Sequence, residues 1–89
     1  MKNNNYKQKL IKKLKYRSIY SGSKESDFIL TNFAKNNLNK LSISELESYE
    51  KFITLGDLNI WNWVSKNEQI PFFEDQNYNK FILLMKANS

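Results

Sequence analysis

The chain has 89 residues, a net charge of +5 and 40% hydrophobic side chains. A chain this short buries only about 60–65% of its unfolded surface, enough for one thin core and one domain, 1–89. It contains no cysteine and no histidine. That excludes a disulfide framework and a thiolate metal site, and it removes the commonest zinc ligand, the usual general base and the Ser–His and Cys–His nucleophile pairs. Two glycines, Gly22 and Gly56, cannot build a Gly-rich phosphate loop. The inventory therefore points away from an enzyme, with no catalytic or metal-binding residues expected. The longest apolar run, Phe81–Met85, falls far short of a membrane span, and no targeting segment is read at the N-terminus.

Charge is unevenly placed. Residues 1–24 hold Lys2, Lys7, Lys9, Lys12, Lys13, Lys15, Arg17 and Lys24 with no acid, while the remainder has six lysines against nine acids. A basic head on a mildly acidic body suggests an acidic partner, with a solvated helix face as the plain alternative.

In chain order, Met1–Asn5 is polar and expected to fray. Tyr6, Leu10, Ile11, Leu14 and Ser18 then follow helical spacing, predicting a helix over Tyr6–Tyr20 with lysines on the opposite face. Gly22 suits the left-handed position beyond a helix end. A second helix is predicted from about Ser23, with Glu25 and Asp27 over its N-terminus, where the dipole favours negative charge. It carries Ile29, Leu30, Phe33, Ala34, Leu38 and Leu41 inward, and Asn36, Asn37 and Asn39 weaken its last turn.

Ser42-Ile43-Ser44-Glu45 is a capping box, flanked at the staple positions by Leu41 and Leu46. The helix it starts presents Leu46, Tyr49, Phe52 and Ile53 and is closed by Gly56. Asp57 is expected to cap a short helix, Leu58–Lys66. Within it Trp61 and Trp63 cannot both face one core, so one is expected inside and the other at a groove or the surface. Pro71 stops the chain, and Tyr78, Phe81, Ile82 and Met85 predict a last helix over Asp75–Ala87. Period-two alternation is absent. The fold class is all-α, a single small five-helix bundle.

Several of these residues together resemble the small flavin-assembly factors of succinate dehydrogenase, the SdhE/YgfY type. The family's Arg-Gly-x-x-Glu motif, with Asp two residues on, is similar to Ser21-Gly22-Ser23-Lys24-Glu25-Ser26-Asp27. Arg17-Ser18, Phe33, Leu41-Ser42 with Glu45, Phe52, and Asp57-Leu58-Asn59-Ile60-Trp61-Asn62-Trp63 continue the pattern in order. The resemblance is strongest over residues 10–64. Ser21 replaces the motif arginine; Arg17 or Lys24 could partly substitute, although lysine cannot make a planar bidentate contact.

The resemblance implies a helical, non-catalytic assembly factor. It would bind the flavoprotein subunit of succinate dehydrogenase, or that of fumarate reductase, and promote covalent attachment of FAD to it. FAD would be held by the partner, with no cofactor bound tightly by this chain. Gly22, Glu25, Asp27, Arg17, Ser21 and Lys24 would form the partner-binding corner, and Lys12, Lys13 and Lys15 would steer association electrostatically. The expected setting is a bacterial cytoplasm, with a free protein that is monomeric and not membrane-inserted. A competing reading is a small basic helical module binding nucleic acid or another acidic protein. Nucleic acid is disfavoured by the single arginine and by the lack of a helix-turn-helix signature.

Overall fold

The computed structural model describes residues 2–19, 24–66 and 68–87. Five α-helices follow one another: α1 (Lys2–Ile19), α2 (Lys24–Asn37), α3 (Ile43–Ile53), α4 (Asp57–Ser65) and α5 (Gln76–Ala87). A 3₁₀ turn over Leu38–Lys40 joins α2 to α3, and no strand occurs among the described residues. This is the all-α five-helix architecture expected. The Asn-rich end of the second helix is where the α-helix gives way to the tighter turn, consistent with asparagine competing for backbone hydrogen bonds.

The core is made by the stripes that the periodicity selected. Leu10, Ile11 and Leu14 of α1 meet Ile29, Leu30, Phe33 and Ala34 of α2, with Leu46, Tyr49 and Phe52 from α3, Ile60 and Val64 from α4, and Phe81, Ile82 and Met85 from α5. At its centre the Phe33 ring stacks on Tyr49 at 5.1 Å, and Phe81 meets both rings edge-on at 5.7 and 5.5 Å. Such offset and T-shaped arrangements match the ring quadrupoles.

The capping box is realised. The Ser42 hydroxyl accepts from the Glu45 N–H at 3.2 Å, and a Glu45 carboxylate oxygen accepts from the Ser42 N–H at 2.9 Å. Leu41 and Leu46 are both buried beside it.

Three helix starts differ from expectation. The first helix begins at Lys2 rather than Tyr6. Tyr6 is not turned into the core: it is 47% exposed, and its hydroxyl donates to Glu47 at 2.9 Å, a tether that holds the early turns of α1 against α3. Asp57 is the first residue of α4 rather than its cap. Gly56 takes the cap position with φ of 107°, a region that only glycine enters readily, and its carbonyl accepts the first helical N–H, from Ile60. The last helix starts one residue late because Asp75 caps it, its carboxylate accepting the Asn77 N–H at 2.9 Å.

Neither tryptophan is inside. Ile60 and Val64 take the core-facing positions, and Trp61 and Trp63 are both half-buried against the core. At about 100° per residue they lie roughly 80° to either side of the Ile60–Val64 stripe, so both become flanks. Trp61 lies under the Lys66 ammonium at 4.9 Å, and Trp63 meets Phe73 edge-on at 5.5 Å. No described helix is long and apolar enough to cross a membrane.

Candidate functional site

The candidate surface is the basic helix α1 with the first turn of α2. Helical geometry sorts its side chains by angle. Leu10, Ile11, Leu14 and Ser18 face inward and are buried. Lys9, Lys12, Tyr16 and Ile19 share the outward stripe and are exposed. Lys13 and Arg17, one turn apart, lie on the flank that meets α3.

That flank carries ion pairs. The Lys13 ammonium is 2.5 Å from a Glu50 carboxylate oxygen, and an Arg17 guanidinium nitrogen is 3.6 Å from the same oxygen. Next to Arg17, the fully buried Ser18 hydroxyl lies 2.6 Å from the Tyr49 hydroxyl. Burial pushes the Tyr49 phenol up to about 12, against smaller downward pulls from the Ser18 hydrogen bond and the Arg17 charge. Arg17 and Ser18 thus both point to α3, where they fix the C-terminal end of α1.

The residues expected to steer association do not share one face. Lys12 is central to the outward stripe, Lys13 is turned toward Glu50 by about 100°, and Lys15 lies on the other flank, half-buried. Ser21 and Gly22 lie outside the described residues. Lys24, Glu25 and Asp27 occupy the first turn of α2, as expected for Glu25 and Asp27; their side chains are outside what the structure describes.

Sequence reasoning missed Glu47 and Glu50, which bind the inner flank of the basic helix. Their i, i+3 spacing on α3 against Lys13 and Arg17 at i, i+4 is visible in the chain, but only the crossing of the two helices brings them together. Among the described residues no group of acidic side chains is arranged to hold a metal ion. Chemically, the surface offers cations and the exposed rings of Tyr6 and Tyr16, which suits recognition of an acidic face.

Comparison with known proteins identifies the family. Residues 12–88 match the model of the family described as flavinator of succinate dehydrogenase. The match runs through α5, beyond Val64, where the motif resemblance stopped. Curated relatives include the mitochondrial succinate dehydrogenase assembly factor 2 of Dictyostelium discoideum, 39% identical over 64 residues, covering 72% of this chain and 45% of the relative. The protein of the same name from Meyerozyma guilliermondii is 36% identical over 73 residues, covering 82% of this chain and 54% of its own. That of Arabidopsis thaliana is 30% identical over 71 residues, covering 80% and 38%. The chain therefore spans about half the length of the curated relatives it matches first. No solved structure matches.

These relatives are all named as mitochondrial, which overturns the expectation of a bacterial cytoplasmic setting. A cysteine-free composition and a basic head suit either compartment, so the residues held no physical basis for choosing the bacterial one. With the match running over all five helices, the chain belongs to the family of flavinators of succinate dehydrogenase.

Proposed function

We propose that this chain is a mitochondrial assembly factor that binds the flavoprotein subunit of succinate dehydrogenase and promotes covalent attachment of FAD to it. The single observation carrying this reading is the family match over residues 12–88. The chain acts by binding and orientation and catalyses nothing itself. A sequence without histidine or cysteine lacks the side chains that commonly carry linked flavin, so the covalent chemistry belongs to the partner and the FAD that the partner holds. Holding the partner with its flavin and acceptor side chain aligned is a proximity effect.

The geometry of α1 supports a docking role. Glu50 partly neutralises Lys13 and Arg17, while Lys9 and Lys12 face outward and supply a field that steers an acidic surface. Gly22 and Glu25 form the working corner, with the glycine allowing close backbone approach and Glu25 placing a carboxylate at the contact.

In-gel flavin fluorescence of the denatured flavoprotein, from cells with and without this gene, tests the reading, because only covalent flavin survives denaturation. The band should vanish without the gene and return with the wild-type chain. Glu25→Ala should fail to restore it while remaining folded. An unchanged band in the deletion strain rules the function out.

A further inference from the structure

The connection between α4 and α5 carries a second feature. Residues 68–73 run without helix, and Phe72, at 85% exposure, is the most exposed large apolar side chain among the described residues. It is not loosely held. The Glu68 N–H reaches the Asn62 carbonyl at 3.4 Å. Ile70 and Phe73, three residues apart, both pack against the core, and Phe73 meets the rings of Trp63 and Tyr78 edge-on at 5.5 and 5.1 Å. Pro71 fixes its own φ and restricts Ile70 to extended backbone. At the far end, Asp75 caps α5. The segment is a strap pinned on both sides of one outward phenyl ring.

Its charge is as distinctive as its shape. Residues 67–79 contain Glu68, Glu74 and Asp75 and no lysine or arginine; Glu68 and Glu74 are exposed. The nearest cations in sequence are engaged elsewhere, Lys66 over the Trp61 ring and Lys80 on the Glu45 carboxylate. An apolar ring framed by Glu68 and Glu74, which make no ion pair among the described residues, is complementary to an apolar pocket with a lysine or arginine rim. Aromatic anchors held in place before binding carry much of the energy of an interface, because little side-chain freedom is lost on docking.

We propose that Phe72, presented by the strap between α4 and α5, is an anchor that inserts into an apolar, basic-rimmed pocket of the flavoprotein partner. This rests on the assembly reading above. A second copy of the chain is the less suitable occupant. Strap against basic α1 would be a head-to-tail contact, which builds open chains unless the rotation happens to close, and one ring falls far short of the area a stable dimer needs. With a basic α1 and an acidic strap, the molecule also carries opposite charges on two elements, which fixes the orientation of approach.

The test measures binding of the full chain to purified flavoprotein subunit made without covalent flavin, for wild type, Phe72→Ala, Phe72→Leu and the pair Glu68→Gln/Glu74→Gln. Phe72→Ala should bind about 30-fold more weakly, the size of a hot-spot truncation, with an unchanged melting temperature because the ring is exposed. Phe72→Leu should recover much of the affinity, and the Gln pair should associate more slowly with a flatter salt dependence. Wild-type binding that Phe72→Ala leaves intact overturns the anchor while the assembly reading stands. A wild-type chain that does not bind the flavoprotein overturns both. Self-association in sedimentation that Phe72→Ala abolishes, with flavoprotein affinity unaltered, assigns the strap to a second copy and also overturns the proposal.

Discussion

Replacing Ser18 with alanine removes one half of the buried contact that ties α1 to α3. Both residues are 0% exposed, and their hydroxyl oxygens are 2.6 Å apart. The substitution leaves the Tyr49 hydroxyl buried without that partner, which costs about 1–3 kcal/mol; alanine is the better helix former by roughly half a kcal/mol. The net loss should be about 1–2 kcal/mol, lowering the melting midpoint of a domain this size by about 5–15 °C. Tyr49→Phe removes the other half and should cost about 1 kcal/mol. The informative variant is the double substitution. With both hydroxyls gone no polar group of the pair is left stranded, so the double mutant should be more stable than the sum of the single losses predicts, by about 1 kcal/mol. Calorimetry or denaturant titration of the four proteins in a double-mutant cycle measures this directly. Strict additivity would refute the reasoning, since it would mean that the hydroxyls do not depend on each other.

The same tyrosine predicts a response to alkali. Its phenol ionises near 10 when unfolded and at about 12 when folded, so the stabilisation is complete below pH 10 and disappears as pH rises from 10 through 12, a loss of about 2–3 kcal/mol. Subtracting the profile of Tyr49→Phe from that of the wild type should isolate this fall, and coincident profiles would contradict it. Glu45 behaves oppositely. Its hydrogen bond with Lys80, then that from the Ser42 N–H, holds its carboxyl below the ordinary 4.5, so its contribution is present above that value and is lost as pH falls through the depressed one. Glu45→Gln should flatten the acid limb of stability, and a limb that stays equally steep argues against the capping interaction. Gly56→Ala should cost about 1–3 kcal/mol through backbone strain alone, because φ is 107° while the nearest atom to a new Cβ, Asn59 Nδ2, is 3.5 Å away. Chemical denaturation tests this, and a neutral effect would mean that the α3–α4 turn relaxes.

The flavin-attachment reading and the Phe72 anchor draw on different parts of the chain, the first helix corner and the strap before α5. Between them, α3 serves as the scaffold. Glu47 and Glu50 hold α1 from one side, and Glu45 holds Lys80 of α5. A fault in α3 should therefore disturb both surfaces together.

By itself the sequence determined the elements and their inward faces. Leu10, Ile11 and Leu14, and then Phe33, Leu46, Phe52, Phe81 and Met85, are buried as their 3.6-residue spacing requires, because periodicity and capping are local properties of the chain. The family motifs were legible for the same reason: they are fixed spacings along one strand of text. Only the tertiary structure decided what lies between helices. Arg17, expected at the partner-binding surface, reaches Glu50, and Ser18, whose spacing does place it on the inward face, finds a hydroxyl partner in Tyr49; both contacts span more than thirty residues of chain. Tyr6 has the spacing of a core residue and lies half outside, on Glu47. Phe72 and Phe73 are adjacent and chemically identical, yet one is exposed and the other packed. No local rule separates such cases, because an ion pair, a buried hydroxyl contact or an outward ring depends on which helix flanks are brought together.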